Sequence, residues 1–249
     1  MIQLKKIKNI ITKTRLGKTL RIIFNLNESI AGNKLFDGIN FKELPTGIGV
    51  SFRDGETPIY TEKWPHYIPI YEKFFLEYKS KSPLKLVEFG VAKGGSLEMW
   101  KNFFPKNAEI WGVDINVEST SVNASVEFPK VLNGDCTNEL FLSSFFLEIG
   151  APDIIIDDAS HVMKDIKKTL LLSFPKIAPG GMYIIEDLHC AYWRKYGGGY
   201  RAKDNIFNFV RALIDDLHSE YHQRKRKYPE MSRLKSIVIL DSMVILNSH

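Results

Sequence analysis

Cysteine is scarce. Cys136 and Cys190 are the two in 249 residues, and they lie far apart without metal-ligand spacing. No disulfide framework or thiolate metal site is implied, and reduced thiols in a cytoplasmic protein are expected. Long apolar runs are lacking too, none approaching the ~20 residues that span a bilayer. No signal-peptide core with a cleavage site opens the chain, so the sequence predicts a soluble, unexported protein. Internal repeats, low-complexity linkers and the GxxxxGK[ST] phosphate loop are all missing. Acidic residues are absent from Met1 to Asn27, a stretch holding seven of the 34 basic residues: Lys5, Lys6, Lys8, Lys13, Arg15, Lys18 and Arg21. Leu4, Ile7 and Ile11, then Leu16, Leu20 and Ile23, recur there at helical spacing. Such a basic amphipathic segment suits an anionic membrane surface, a partner, or packing on its own domain with a solvated basic face. No base-reading or aromatic stacking motif accompanies it, so no nucleic-acid partner is expected. The oligomeric state is left open, a homo-oligomer included.

What is present is a core-forming composition, 44% hydrophobic, enough for one sizeable domain. From Leu84 onward, LKLVEF (84–89), AEIWGVD (108–114), KVLNGD (130–135), DIIID (153–157) and MYIIED (182–187) read as buried strands. SLEMWKNFF, TNELFLSSFFLEI and VMKDIKKTLLLSFPKI suit helices. The alternation means βαβ units and a mostly parallel sheet. KSIVIL and MVIL are separated only by Asp241 and Ser242, which predicts a closing antiparallel hairpin.

In such a sheet ligands bind beyond the carboxyl ends of the strands, so those endings are read together. The first runs into VEFGVAKGGS, where Gly90, Gly94 and Gly95 permit a tight turn and close backbone approach ahead of a helix N-terminus. The second ends at Asp114, placed to accept two ribose hydroxyls. Asp135 follows the third and is expected near an adenine. Glu88 just before the first glycine would repel a pyrophosphate but suits a ligand with a cationic end. S-adenosylmethionine carries both an ammonium and a sulfonium. IIIDDASH (154–161) and IIEDLH (184–189) bring Asp157, Asp158, Glu186 and Asp187 to one edge. Two carboxylates about 4 Å apart repel by ~1–4 kcal/mol at effective dielectrics between about 80 and 20, so the cluster needs a proton, a basic partner or a cation. An all-oxygen set suits Mg²⁺, Mn²⁺ or Ca²⁺. HCAYWRKYGGGYR (189–201) has the aromatic and glycine content of a lid that stacks on a sugar, with His189, Tyr192 and Trp193 as candidate acceptor contacts.

The chain resembles the class I S-adenosylmethionine-dependent methyltransferases. Glu88, Gly90, Ala92 and Gly94 fall on their ExGxGxG pattern, with alanine at the middle glycine; Ser96 closes the loop, and Asp114 falls on the ribose-binding acid. TEKWPHYIPIYEKFF (61–75), GGSLEMWKNFFP (94–105), IIIDDASH and PGGMYIIEDLHCAYW (179–193) are similar to the metal-dependent sugar O-methyltransferases of macrolide glycosides. The resemblance implies an α/β, Rossmann-like class I methyltransferase fold with a mostly parallel seven-stranded sheet over residues 61–249; it does not cover residues 1–60, which the charge and spacing above read as a basic helical appendage. It implies metal-ligand roles for Asp158, Glu186 and Asp187, a general-base role for His161, and a place facing the donor's ammonium for Asp157. Trp64, His66 and Tyr67 match a segment that precedes the donor site in the relatives, which makes them candidates for lining the acceptor's cleft, with a place in the core as the alternative.

The expected activity is transfer of a methyl group from S-adenosylmethionine to a sugar hydroxyl with Mg²⁺ or a similar cation. A bacterial surface-glycan pathway at the inner membrane face, or a glycosylated natural product, would supply the acceptor. Two alternatives are a catechol-type O-methyltransferase, which also needs two adjacent oxygens on a metal, and a non-catalytic donor-binding scaffold.

Overall fold

The computed structural model describes residues 61, 63–64, 66–116 and 129–249. The basic segment, with the rest of the 1–60 appendage, lies outside the described residues. Seven strands form one sheet: β1 (Lys85–Phe89), β2 (Glu109–Asp114), β3 (Lys130–Asn133), β4 (Ile154–Asp157), β5 (Met182–Ile185), β6 (Leu234–Leu240) and β7 (Met243–Ser248). Their order is β3-β2-β1-β4-β5-β7-β6. The first five pair in parallel, while β7 runs antiparallel to β5 and to β6. The expected strand-to-helix alternation and closing hairpin are therefore observed, with Asp241 and Ser242 making the turn.

Five helices of eight or more residues cover the described part of the sheet: α1 (Tyr67–Phe75), α2 (Gly95–Phe103), α3 (Glu139–Ile149), α4 (Met163–Ser173) and α5 (Ile206–Leu217). Local chemistry sets their ends. The side chain of Asn138 accepts hydrogen bonds from the Leu140 and Phe141 N–H groups at the start of α3, and Asn205 accepts from Phe207 N–H at the start of α5, each satisfying otherwise orphaned donors. The helical pattern read through Ile177 stops at Ser173 and tightens into a 3-10 turn over Phe174–Lys176. Pro175 lacks the N–H that another α-turn requires. In α5, Ile206, Phe209, Val210 and Leu213 are buried, the spacing of a single core-facing stripe.

Because strand side chains alternate between faces, each strand contributes to two cores. Val87, Phe89, Ile155, Tyr183 and Ile185 pack with residues of α3, α4 and α5. On the other face lies an aromatic cluster from α1 and α2, including Tyr71, Phe75, Trp100 and Phe104. From β1 the chain winds outward to β3 and then returns to β4 on the other side of β1. The order reverses between β1 and β4, where an open α/β sheet leaves a crevice at its carboxyl end.

Candidate functional site

At that crevice the loop after β1 is held by its neighbours. Gly90 N–H donates to the Val113 carbonyl at 2.8 Å, and Asp158 N–H donates to the Phe89 carbonyl at 2.9 Å. Gly90 adopts φ +82°, and a Cβ there would overlap the Asp158 backbone, so only glycine lets the two strand ends approach this closely. Gly94, also left-handed, caps α2. Gly90, Ala92, Ser96, Asp114, Asp158, His161 and Asp187 line a cleft of about 340 Å³. A second cavity of about 260 Å³ shares Gly90 and Asp114 and adds Asp135, Cys136 and Thr137. Asp114 accepts hydrogen bonds from the Val91 and Ala92 N–H groups at 2.9 and 3.1 Å. Asp135 accepts from the Thr137 N–H and hydroxyl at 2.8 and 2.7 Å. Cys136 and Cys190 are buried free thiols.

Glu88 lies under this loop rather than in it. Fully buried, its Oε2 accepts from the Ser96 hydroxyl at 2.8 Å and from the Trp100 indole at 3.1 Å. Its Oε1 stands 2.7 Å from the Lys63 ammonium. Lys63 Nζ also donates to Asp158 Oδ2 at 2.7 Å and to Glu186 Oε1 at 2.6 Å. The alternation of β-strands explains the grouping: Glu88 pairs in register with Ile156, and Ile156 with Ile184. Two residues further along, Asp158 and Glu186 therefore emerge on the face Glu88 occupies. Burial pulls the Lys63 ammonium down, but the facing carboxylates of Asp158, Glu186 and Glu88 outweigh it and raise it well above the usual lysine range. Burial also pushes Glu186 up, and Lys63 opposes that shift; the Tyr71 hydroxyl donates to the same Glu186 oxygen. Sequence reasoning identified the need for a basic partner but not Lys63 as the residue that meets it.

Three non-glycine residues lining the cleft have positive φ: Ala92 at +44°, His161 at +56° and Asp187 at +55°. Such conformations cost ~1–3 kcal/mol each and persist where surrounding contacts over-determine them. For Asp187 the contacts are visible. Its N–H donates to the Tyr67 hydroxyl at 3.1 Å, and that hydroxyl donates back to Asp187 Oδ1 at 2.9 Å. The next residues are clamped by the β6–β7 turn: Leu188 N–H donates to the Ser242 carbonyl, and His189 N–H to the Ser242 hydroxyl. Asp187 Oδ2 is thereby left 3.9 Å from His161 Nε2. Asp158, His161 and Asp187 offer ligand atoms all within 4.8 Å of one another, as do Glu88, Asp158 and Glu186.

An aromatic rim borders this cluster. Trp64 meets His189 edge-on at 5.6 Å between ring centroids, His189 meets Trp193 at 5.0 Å, Trp193 meets Tyr196 at 6.0 Å, and Tyr196 meets His161 at 6.1 Å. His66 packs on Tyr67 at 4.4 Å. Tyr192 is exposed and stacks on Phe207, away from the rim. Burial lowers the His189 imidazole, whose Nδ1 stands 2.7 Å from the Ser242 hydroxyl. Residues 188–196 coil into two 3-10 turns, and Asn205 Nδ2 ties them down by donating to the Ala191 and Gly199 carbonyls.

Asp157 points to the opposite face of the sheet and lines neither cavity. Its Oδ2 accepts from the Tyr183 hydroxyl at 2.8 Å. Burial pushes its carboxyl up to about 7, the Tyr183 hydrogen bond opposing the shift. In the unfolded chain an aspartate ionises near pH 3.9. Between about pH 4 and pH 7 the folded state keeps a proton that the unfolded state gives up, so this group's contribution to stability falls as pH rises. Asp157→Asn preserves an acceptor for Tyr183 and removes that loss. The variant's stability relative to wild type is expected to increase from pH 4 to about pH 7 and then level off, by up to roughly 4 kcal/mol. Chemical denaturation across this range checks it, and a gap independent of pH would contradict it.

No family model matches the chain. Among curated proteins, the mycinamicin VI 2''-O-methyltransferase of Micromonospora griseorubida is 34% identical over 176 residues, 67% of this chain and 42% of its own length. The 8-demethyl-8-alpha-L-rhamnosyl tetracenomycin-C 2'-O-methyltransferase of Streptomyces olivaceus is 31% identical over 205 residues, 78% of this chain and 52% of its own. The chain spans about half the length of the curated relatives it matches. Among solved structures, the MycE methyltransferase of mycinamycin biosynthesis, in complex with Mg, SAH and mycinamycin VI, aligns with a TM-score of 0.66 at 27% identity, covering 73% of this chain and 48% of that one.

Proposed function

Because the chain belongs to the class I S-adenosylmethionine-dependent methyltransferases, we propose that it methylates a hydroxyl of a sugar-bearing acceptor, using S-adenosylmethionine as donor and a divalent cation as helper. The observation that carries this reading is the meeting of the Gly90 loop, Asp114, two carboxylates and His161 around one cleft. The cavity past Asp114 and Asp135 suits the adenosine end, and the acids suit the cationic end. The donor supplies an electrophilic methyl group, and the cation would acidify and orient a hydroxyl bound beside it.

The donor set fits an oxygen-preferring ion. Asp158 and Asp187 face the cleft with carboxylate oxygens within 4.8 Å of each other, a spacing that one ion can span, and His161 stands beside them with its nitrogen left for the proton. Glu186, whose Oε1 accepts from Lys63 and Tyr71, would complete an all-carboxylate set. His161 Nε2 accepts the acceptor's hydroxyl proton, and the Asp187 carboxylate 3.9 Å away stabilises the imidazolium that results. Trp64, His189 and Trp193 present ring faces and edges of the kind that pack on pyranose C–H surfaces. Among the described residues no helix is long and apolar enough to cross a membrane. Any approach to lipid-linked acceptors would rest on the basic segment before Asn27.

The test is transfer of a labelled methyl group from S-adenosylmethionine to a panel of nucleotide sugars, glycosylated macrolides and catechols, with Mg²⁺ or with EDTA. Transfer to a sugar that EDTA abolishes and Mg²⁺ restores is expected. EDTA-resistant transfer would remove the cation from the scheme, and preference for catechols would move the acceptor class.

A further inference from the structure

The cavity of about 260 Å³ beyond Asp114 is rich in acceptors and poor in donors. Asp114, Asp135 and Asp165 all line it, and its wall holds no lysine, arginine or histidine. Asp114 has a donor on each oxygen: Val91 and Ala92 N–H on Oδ2, and Asn116 N–H on Oδ1. The other two carboxylates are only half served. Asp135 Oδ1 takes both the N–H and the hydroxyl of Thr137, and Asp165 Oδ2 takes the Ser160 hydroxyl at 3.1 Å. Asp135 Oδ2 and Asp165 Oδ1 accept no hydrogen bond among the described residues. Among the same residues, neither acid belongs to a group of three metal-ligating side chains. Val113, Ile115 and Ala159 add apolar surface to the wall, and Ile115 is 74% exposed. Two free acceptors beside an open apolar side chain suit a flat, neutral ring that carries an amine with two N–H groups.

We propose that Asp165 reads the 6-amino group of the donor's adenine, accepting one of its N–H groups while Asp135 accepts the other, so that the site takes 6-aminopurine nucleosides and rejects purines without the amine. Asp165 lies in the first turn of α4, where an acid ordinarily serves only the helix dipole. Its place on the cavity wall separates it from that role. Ser160 ties it down, accepting from Val162 N–H at 3.2 Å and donating to the Asp165 carboxylate. A purine without the amine would cover both acids and bring no donor in exchange for their water, and such unpaired groups are what give a polar site its selectivity. This role rests on the cavity being the adenosine end of the donor site.

The experiment is calorimetric titration of the full chain with S-adenosylhomocysteine and with its analogue bearing hydrogen in place of the 6-amine. Wild type is expected to bind the amine-bearing compound more tightly. Asp165→Asn, which still accepts from Ser160, is expected to shrink that preference by about 10–100-fold, the range for a hydrogen bond to a charged group, with the analogue bound no more weakly than by wild type. A structural role for Asp165 would weaken both compounds alike, and an unchanged ratio overturns the proposal. Wild type that binds S-adenosylhomocysteine without preferring it also overturns the proposal but leaves the donor site standing. Wild type that binds neither compound removes the donor site and the role with it. If Asp165→Asn does not fold, Asp165→Ser gives the same comparison: a reduced ratio supports the role, and an unchanged one overturns it.

Discussion

His161→Ala is expected to lower turnover by about 10²–10⁴-fold, the range for loss of a general base, while donor binding stays nearly unchanged. The separation follows from position. His161 lines the acid side of the cleft, with its ring between Asp187 and Tyr196. The Gly90 loop, where the proposed donor would sit, is held instead by backbone bonds and by Asp114. The left-handed backbone at His161 calls for a second variant, because alanine tolerates that conformation less well than asparagine does. His161→Asn keeps the backbone preference and also lacks an imidazole. Single-turnover methyl transfer at saturating donor, with calorimetric donor titration, separates the effects. Equal losses in both variants with intact donor binding support proton transfer. Unchanged turnover would remove His161 from the chemistry, and lost donor binding would make it a structural residue.

Asp187→Asn is expected to raise the Mg²⁺ concentration at half-maximal activity by at least about tenfold; changing even the hydrogen-bond partners of metal ligands commonly costs 10–100-fold. Asparagine is the informative choice because it accommodates a left-handed backbone and still accepts the Tyr67 hydroxyl hydrogen bond. The fold of the segment is retained while the charge goes. The same substitution removes the anion beside His161, so a fall in turnover persisting at saturating Mg²⁺ reads the imidazolium-stabilising role separately. A Mg²⁺ titration indistinguishable from wild type would exclude Asp187 as a ligand.

Much of this architecture is legible in the sequence, for identifiable reasons. Apolar runs such as DIIID and MYIIED are buried on both faces, so they mark central parallel strands, and a two-residue gap marks a hairpin. Assigning side chains to faces is harder. Reading Asp157, Asp158, Glu186 and Asp187 as one converging group neglects the strict alternation of a strand, which sends Asp157 to Tyr183 and Asp158 to Lys63. The alternation was available in the sequence. What restores Asp187 to the cleft was not: a left-handed backbone pinned by Tyr67, 120 residues away in the chain. Lys63 is hidden for a similar reason. A single lysine ahead of Trp64 has no periodicity of its own, and its value depends on acids 25 to 123 positions downstream.

The hairpin turn at Ser242 also orders events during synthesis. Because β7 inserts between β5 and β6, a nascent chain released only as far as Trp193 already carries every acid of the cluster. It still lacks the strand that covers the free edge of β5 and the turn that clamps Leu188 and His189. Pairings between strands this far apart in the chain are slow to form. The Gly90 loop and the strands around β1 can pair before that turn exists, whereas the segment bearing Leu188 and His189 is completed only after residue 242 has emerged.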